Sequence, residues 1–126
     1  MNIDFDKFIE ACKRTECGYK RIYGHERLLH GVMGVVDEAG ELNGALKKHI
    51  FYGKPLDRVN MAEEIGDLMY FVAILVDELG LDLETILKLV EDKLKQRYKD
   101  GFTEHEAINR DLQAEKEIME GILNDY

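Results

Sequence analysis

The chain holds 126 residues, 45% of them apolar and 34% charged, with one proline and no tryptophan. A chain of this length buries roughly two-thirds of its unfolded surface, which excludes disorder as the main state, and so little proline excludes a turn-rich β-sandwich. The net charge of −9 and isoelectric point near 4.9 repel phosphate backbones and anionic lipid, so general nucleic-acid and membrane-surface binding are disfavoured.

The first ten residues carry an acid at Asp4 and no apolar run, so they do not read as a signal peptide. A first helix is predicted over about Asp4 to Thr15, with Phe5, Phe8, Ile9 and Cys12 on one stripe and Cys17-Gly18 as its break. Cys12 and Cys17 match neither a CxxC nor a zinc pattern and read as reduced thiols of a reducing compartment. A second helix is predicted over about His25 to Lys48, where Lys47 and Lys48 complement the dipole of the last turn. His49 to Leu56, with Gly53 and Pro55, reads as a loop. Asp57 caps a third helix running to about Leu79, stopped by Gly80, and Asp82 caps a fourth running to about Tyr98. The longest apolar run, Leu68 to Val76, is too short for a membrane span. After a turn at Lys99-Asp100-Gly101, Thr103 with Glu106 forms a capping box for one acidic, peripheral helix over about 104–124. Strand signals are absent. The expected fold is all-α, a single domain over 1–126, with four or five antiparallel helices in a bundle.

Two acidic pairs stand on the long helices, Glu38-x-x-Glu41 and Glu64-x-x-Asp67. An i,i+3 spacing puts both members of a pair on one helix face, a turn apart. On the second helix that face also carries Gly31, Gly34 and Ala45; on the third it carries Phe71 and Ile74. In an antiparallel hairpin Glu41 faces Glu64 and Glu38 faces Asp67, so four carboxylates converge at the edge of a core. Like charges there require protons or cations, and an all-oxygen set without His or Cys favours a hard ion, Mg²⁺ or its substitute Mn²⁺. Asp37 and Glu63 point off this stripe. The four glycines Gly31, Gly34, Gly40 and Gly44 allow two readings, close helix packing or room for a flat ligand. On the fourth helix Lys93 and Arg97 share a face beside Tyr98, a cation pair suited to phosphate oxygens. Lys48, Lys54 and Arg58 flank the hairpin loop. His25, His30, His49 and His105 have no metal partner at ligand spacing. Tyr19, Tyr23, Phe51, Tyr52 and Tyr70 are candidates for stacking on a base.

These residues resemble the MazG-like members of the all-α nucleoside triphosphate pyrophosphohydrolases, a group that includes dimeric dUTPases and phosphoribosyl-ATP pyrophosphohydrolases. The matching pieces are Arg14-Thr15, Glu38-Ala-Gly-Glu41, Lys47-Lys48 with Phe51-Tyr52-Gly53, Glu63-Glu64-Ile-Gly-Asp67-Leu-Met-Tyr70, Leu79-Gly80-Leu81, and Lys93-Leu94-x-x-Arg97-Tyr98-x-Asp-Gly-Phe102. The resemblance implies a cytoplasmic hydrolase that cleaves between the α- and β-phosphates of a nucleoside triphosphate, yielding monophosphate and pyrophosphate. It implies Mg²⁺ on Glu38, Glu41, Glu64 and Asp67, with Glu41 or Glu38 as the general base. It implies Lys48, Lys93, Arg97 and Tyr98 around the phosphates, and a homodimer or dimer of dimers formed through the helices. Val90 stands where many relatives have Asn, and Lys99 where relatives often have Pro. The first departure bears on substrate choice and turnover. Phosphoribosyl-ATP cleavage and a catalytically weak nucleotide- or partner-binding module are the competing readings. A redox metal bundle needs Glu-x-x-His pairs, and none occurs.

Overall fold

The computed structural model describes residues 2–19 and 24–124; Tyr23 lies outside them. The described residues form helices only: α1 (Phe5–Lys13), α2 (Glu26–Tyr52), α3 (Arg58–Glu78), α4 (Leu83–Arg97), α5 (Glu104–Ile108) and α6 (Leu112–Leu123). Among the described residues the β-type pairing is one isolated bridge, Lys99 with Gly101. No described helix is long and apolar enough to cross a membrane. The chain divides into two compact units, residues 1–79 and 80–126.

In the first unit α1 and α3 begin where side-chain oxygens satisfy free amides, whereas the His25 side chain makes no cap hydrogen bond at the start of α2. Asp4 accepts from the N–H groups of Asp6 and Lys7, and Asp57 from that of Asn60. The end of α2 departs from the expected loop over His49 to Leu56. The helix continues one more turn through Tyr52, and Lys48 sits inside it. His49, Ile50, Phe51 and Tyr52 contain no breaker, and the chain turns only at Gly53, whose φ of 64° is left-handed. The Gly53 and Lys54 N–H groups both donate to the Lys48 carbonyl, and His49 Nδ1–H donates to that of Lys54 at 2.8 Å.

Residues 53–57 return the chain so that α3 runs antiparallel to α2. The contact is close because of two glycines. A Cβ on Gly31 would lie 2.6 Å from Leu75 Cδ2, and one on Gly34 would overlap the ring of Phe71. A Cβ on Gly40 or Gly44 would meet nothing within 4 Å. So the close-packing reading holds for Gly31 and Gly34 only. Among the described residues the unit's buried apolar side chains are Ile9 and Cys12 of α1 with Ala73, Ile74 and Val76 of α3. Burial holds the Cys12 thiol above its usual range. Thr15 Oγ1–H donates to the Tyr70 hydroxyl at 3.2 Å, tying the end of α1 to α3.

In the second unit, Asp82 caps α4 through the Thr85 N–H at 2.7 Å. The single helix expected over about 104–124 is two. Thr103 caps α5 as the capping box predicts, but α5 stops after five residues. Asn109 Nδ2–H donates to the His105 carbonyl at 2.9 Å, and Asp111 starts α6 by accepting from the Ala114 N–H at 3.0 Å. These two short side chains compete with the helix for its own backbone groups.

Candidate metal centre

The register set by Gly31 on Leu75 and Gly34 on Phe71, carried further along the pair, brings Glu38 and Glu41 of α2 to Glu64 of α3. One carboxylate oxygen from each lies within 4.8 Å of the other two. Glu64 is buried, 6% exposed; Glu38 is half-buried and Glu41 exposed. Asn60, one turn before Glu64, donates Nδ2–H to its Oε1 at 2.7 Å and so fixes the buried carboxylate. Asn60 is not among the residues the motifs point to; its i,i+4 spacing from Glu64 is the signal that marks it.

The electrostatics are those of crowded like charges. Desolvation raises the Glu38 carboxyl above its ordinary value of 4.5, and Glu41, Glu64 and Asp67 add to the effect. Glu41 is also raised, first by its hydrogen bond with Glu64 and then by that residue's charge. Asp67 is exposed and stands outside the close trio, while its charge still acts on Glu38 and Glu41. The trio offers only oxygen donors, one of them buried and pre-oriented. That donor set fits a hard divalent cation such as Mg²⁺ or Mn²⁺, which would relieve the repulsion.

The other end of the α2–α3 pair has the opposite character. Arg27, near the start of α2, pairs with Glu16 at 2.6 Å, Asp77 at 2.7 Å and Glu78 at 2.9 Å. Lys13 of α1 reaches Asp77 at 3.2 Å. Hydrogen bonds from Arg27 hold Glu16 below the usual carboxylate range, and the cations outweigh desolvation at Asp77. Here opposite charges pair, and the pairs join α1, α2 and α3.

The expected phosphate-binding residues are distributed between the units. Lys48 is exposed on the last turns of α2. Lys93, Arg97 and Tyr98 belong to the second unit. Lys93 is half-buried on α4, and Tyr98 ends that helix with its ring 5.6 Å from that of Phe102. Arg97 is bound to Glu115 of α6, with Nε 2.9 Å from Oε1. Nothing in the local pattern around Glu115 marks it as the partner of Arg97. Among the stacking candidates, Phe51 and Tyr52 are 75% and 61% exposed. Tyr70 packs edge-on against Phe71, and Tyr19 against His30.

The profile of the MazG nucleotide pyrophosphohydrolase domain matches residues 24–102. That segment holds α2, α3 and α4 and every carboxylate of the candidate metal centre. The Gene 37 protein of Mycobacterium phage L5 is 32% identical over 89 residues, which cover 68% of this chain and 78% of that protein. No solved structure matches the chain. An all-helical chain whose facing long helices carry these carboxylates, with more than half its length matched, belongs to the MazG nucleotide pyrophosphohydrolase domain family.

Proposed function

We propose that the chain is a cytoplasmic, Mg²⁺-dependent nucleoside triphosphate pyrophosphohydrolase that releases monophosphate and pyrophosphate. The observation that carries this reading is the trio Glu38, Glu41 and Glu64, three carboxylates gathered within 4.8 Å on two helices of the matched segment. These residues, with Asp67 beside them, would hold the metal. Bound there, Mg²⁺ or Mn²⁺ supplies charge neutralisation for the polyphosphate and acidifies water.

The chain's own residues do the rest. Glu41, the exposed member of the trio, takes the proton shed by the attacking water, with Glu38 as the alternative base. The water oxygen bonds to the α-phosphorus, the bond between the α-phosphorus and the bridging oxygen breaks, and pyrophosphate leaves with that bridging oxygen. Lys48 in the first unit, and Lys93, Arg97 and Tyr98 in the second, are each of a chemistry suited to phosphate oxygens. Exposed Phe51 and Tyr52 are available to the base.

A homodimer or dimer of dimers accompanies this reading. Leu29, Val32, Met33 and Val36 make an apolar stripe on α2, each more than half exposed. A second copy would remove that surface from water.

The test is pyrophosphate release from canonical and modified nucleoside triphosphates and from phosphoribosyl-ATP, with Mg²⁺, Mn²⁺ or EDTA, on protein of measured sedimentation mass. The expected result is metal-dependent release from a subset of the triphosphates, abolished by EDTA. Release only from phosphoribosyl-ATP would move the substrate. Nucleotide binding without release would leave a binding module and point to Val90. Activity undiminished in EDTA would overturn the metal assignment.

A further inference from the structure

Glu64 is the buried member of the carboxylate trio, and a neutral group holds it. Its Oε1 accepts from Asn60 Nδ2–H at 2.7 Å across one turn of α3. Asn60 is itself tied from the other side, because its backbone N–H donates to Asp57 Oδ1 at 3.0 Å in the helix cap. Cap, amide and carboxylate thus form one run from Asp57 to Glu64, all within the first unit. Asparagine is a weak helix former because its side chain competes for nearby backbone groups. Here the amide reaches a carboxylate a turn away instead.

The kind of donor matters. Around Arg27 the acids Glu16, Asp77 and Glu78 are held by a cation, which offsets their charge. A lysine or arginine at position 60 would also hold Glu64, but it would repel a metal ion from the trio. An amide orients the carboxylate and leaves the negative charge to the metal. Glu38 is half-buried and Glu41 exposed, so Glu64 is the fixed oxygen donor to which the other two adjust.

A fixed donor does not serve every cation alike. Mg²⁺ demands near-ideal octahedral geometry at about 2.0–2.1 Å, whereas Ca²⁺ accepts oxygens at about 2.3–2.6 Å in flexible arrangements, carboxylates bound through both oxygens included. Holding a carboxylate in one orientation therefore helps the stricter ion more.

We propose that Asn60 is a positioning residue for the metal centre: by holding Glu64 in one orientation it favours Mg²⁺ or Mn²⁺ over Ca²⁺. This rests on the reading of the trio as a metal site.

The test is titration of Mn²⁺ into the full chain without nucleotide, followed by electron paramagnetic resonance well below the melting temperature. Ca²⁺ affinity is taken from its competition with bound Mn²⁺. Asn60→Leu keeps the bulk and loses the donor. It is expected to weaken Mn²⁺ binding about tenfold, the lower range for losing a group that orients a ligand. Ca²⁺ binding should weaken by less than about threefold, because its coordination tolerates a turned carboxylate. A role confined to stability would leave both affinities of the folded chain unchanged. In a Glu64→Ala background Asn60→Leu should cost nothing further, since the two act as one unit. If Asn60→Leu binds both ions as the unaltered chain does, or weakens both equally, the proposal is overturned and the metal site stands. A further loss in the Glu64→Ala background overturns it as well. If the unaltered chain binds no Mn²⁺, the metal reading itself falls, and the proposal with it. Should Asn60→Leu lose its helical circular dichroism, Asn60→Ala decides by the same two affinities.

Discussion

Glutamine at position 38 or 41 is expected to lower metal-dependent turnover by about a thousandfold while raising the melting temperature of the metal-free protein by a few degrees. The two effects have one cause. Glu38, Glu41 and Glu64 hold oxygens within 4.8 Å of one another, which suits a cation and opposes folding without one. Both Glu38 and Glu41 are raised above 4.5, so the folded chain holds their protons more tightly than the unfolded chain does. The sign follows from linkage. Below the unfolded value Glu38 and Glu41 cost nothing. As pH rises through 4.5 and past the raised folded values, these two ionised carboxylates cost stability, and the full cost is present at neutral pH. Glutamine removes one charge, so its stabilising effect should appear at about pH 7 and vanish near about pH 4. Added Mg²⁺ should raise the melting temperature of the unaltered chain and shift the variants far less. Thermal scans with and without Mg²⁺ at both pH values, beside pyrophosphate assays, check all of this. A variant with full activity, or one destabilised at neutral pH with helicity intact, would remove the trio as a metal centre.

Gly34→Ala is expected to destabilise the chain by about 1–2 kcal/mol, although alanine is the better helix former by about 1 kcal/mol. The added methyl would overlap the Phe71 ring. That ring has little freedom to move aside, because it meets His30 and Tyr70 edge-on at 5.5 and 5.1 Å between centroids. Overpacking must therefore be relieved by moving α2 away from α3, and Glu38 and Glu41 lie on the same face one and two turns further along. Mg²⁺ affinity should fall with stability. Gly40→Ala meets open space and should have the opposite sign, stabilising by up to about 1 kcal/mol. Urea unfolding of the two variants side by side checks the pair. Equal shifts would show that the close approach at Gly34 is not what holds the helices in register.

The parts legible in the sequence are those governed by neighbours along the chain. Asp57, Asp82 and Thr103 cap helices because their oxygens reach amides a few residues on. Glu38, Glu41 and Glu64 are legible because helical spacing fixes a face and a hairpin fixes a register. The end of α2 reads a turn early because Lys47 and Lys48 suit a last turn, whereas the chain stops where Gly53 turns left-handed. The break between α5 and α6 rests on Asn109 and Asp111, with no proline or glycine to announce it. The partner of Arg97 is 18 residues away on another helix, and no local period reports a contact of that kind.

The α2–α3 pair is fastened at both ends, by opposite charges around Arg27 at one and by the chain itself through residues 53–57 at the other. Between those fastenings Glu38, Glu41 and Glu64 press like charges together, and a cation bound there would turn repulsion into attraction. Amide hydrogen exchange should report it as slowing on Mg²⁺ addition around residues 38–46 and 60–67, with little change around 27–34 and 71–78. Ordering would then accompany ligand capture, as a clasp drawn tight between two fixed ends.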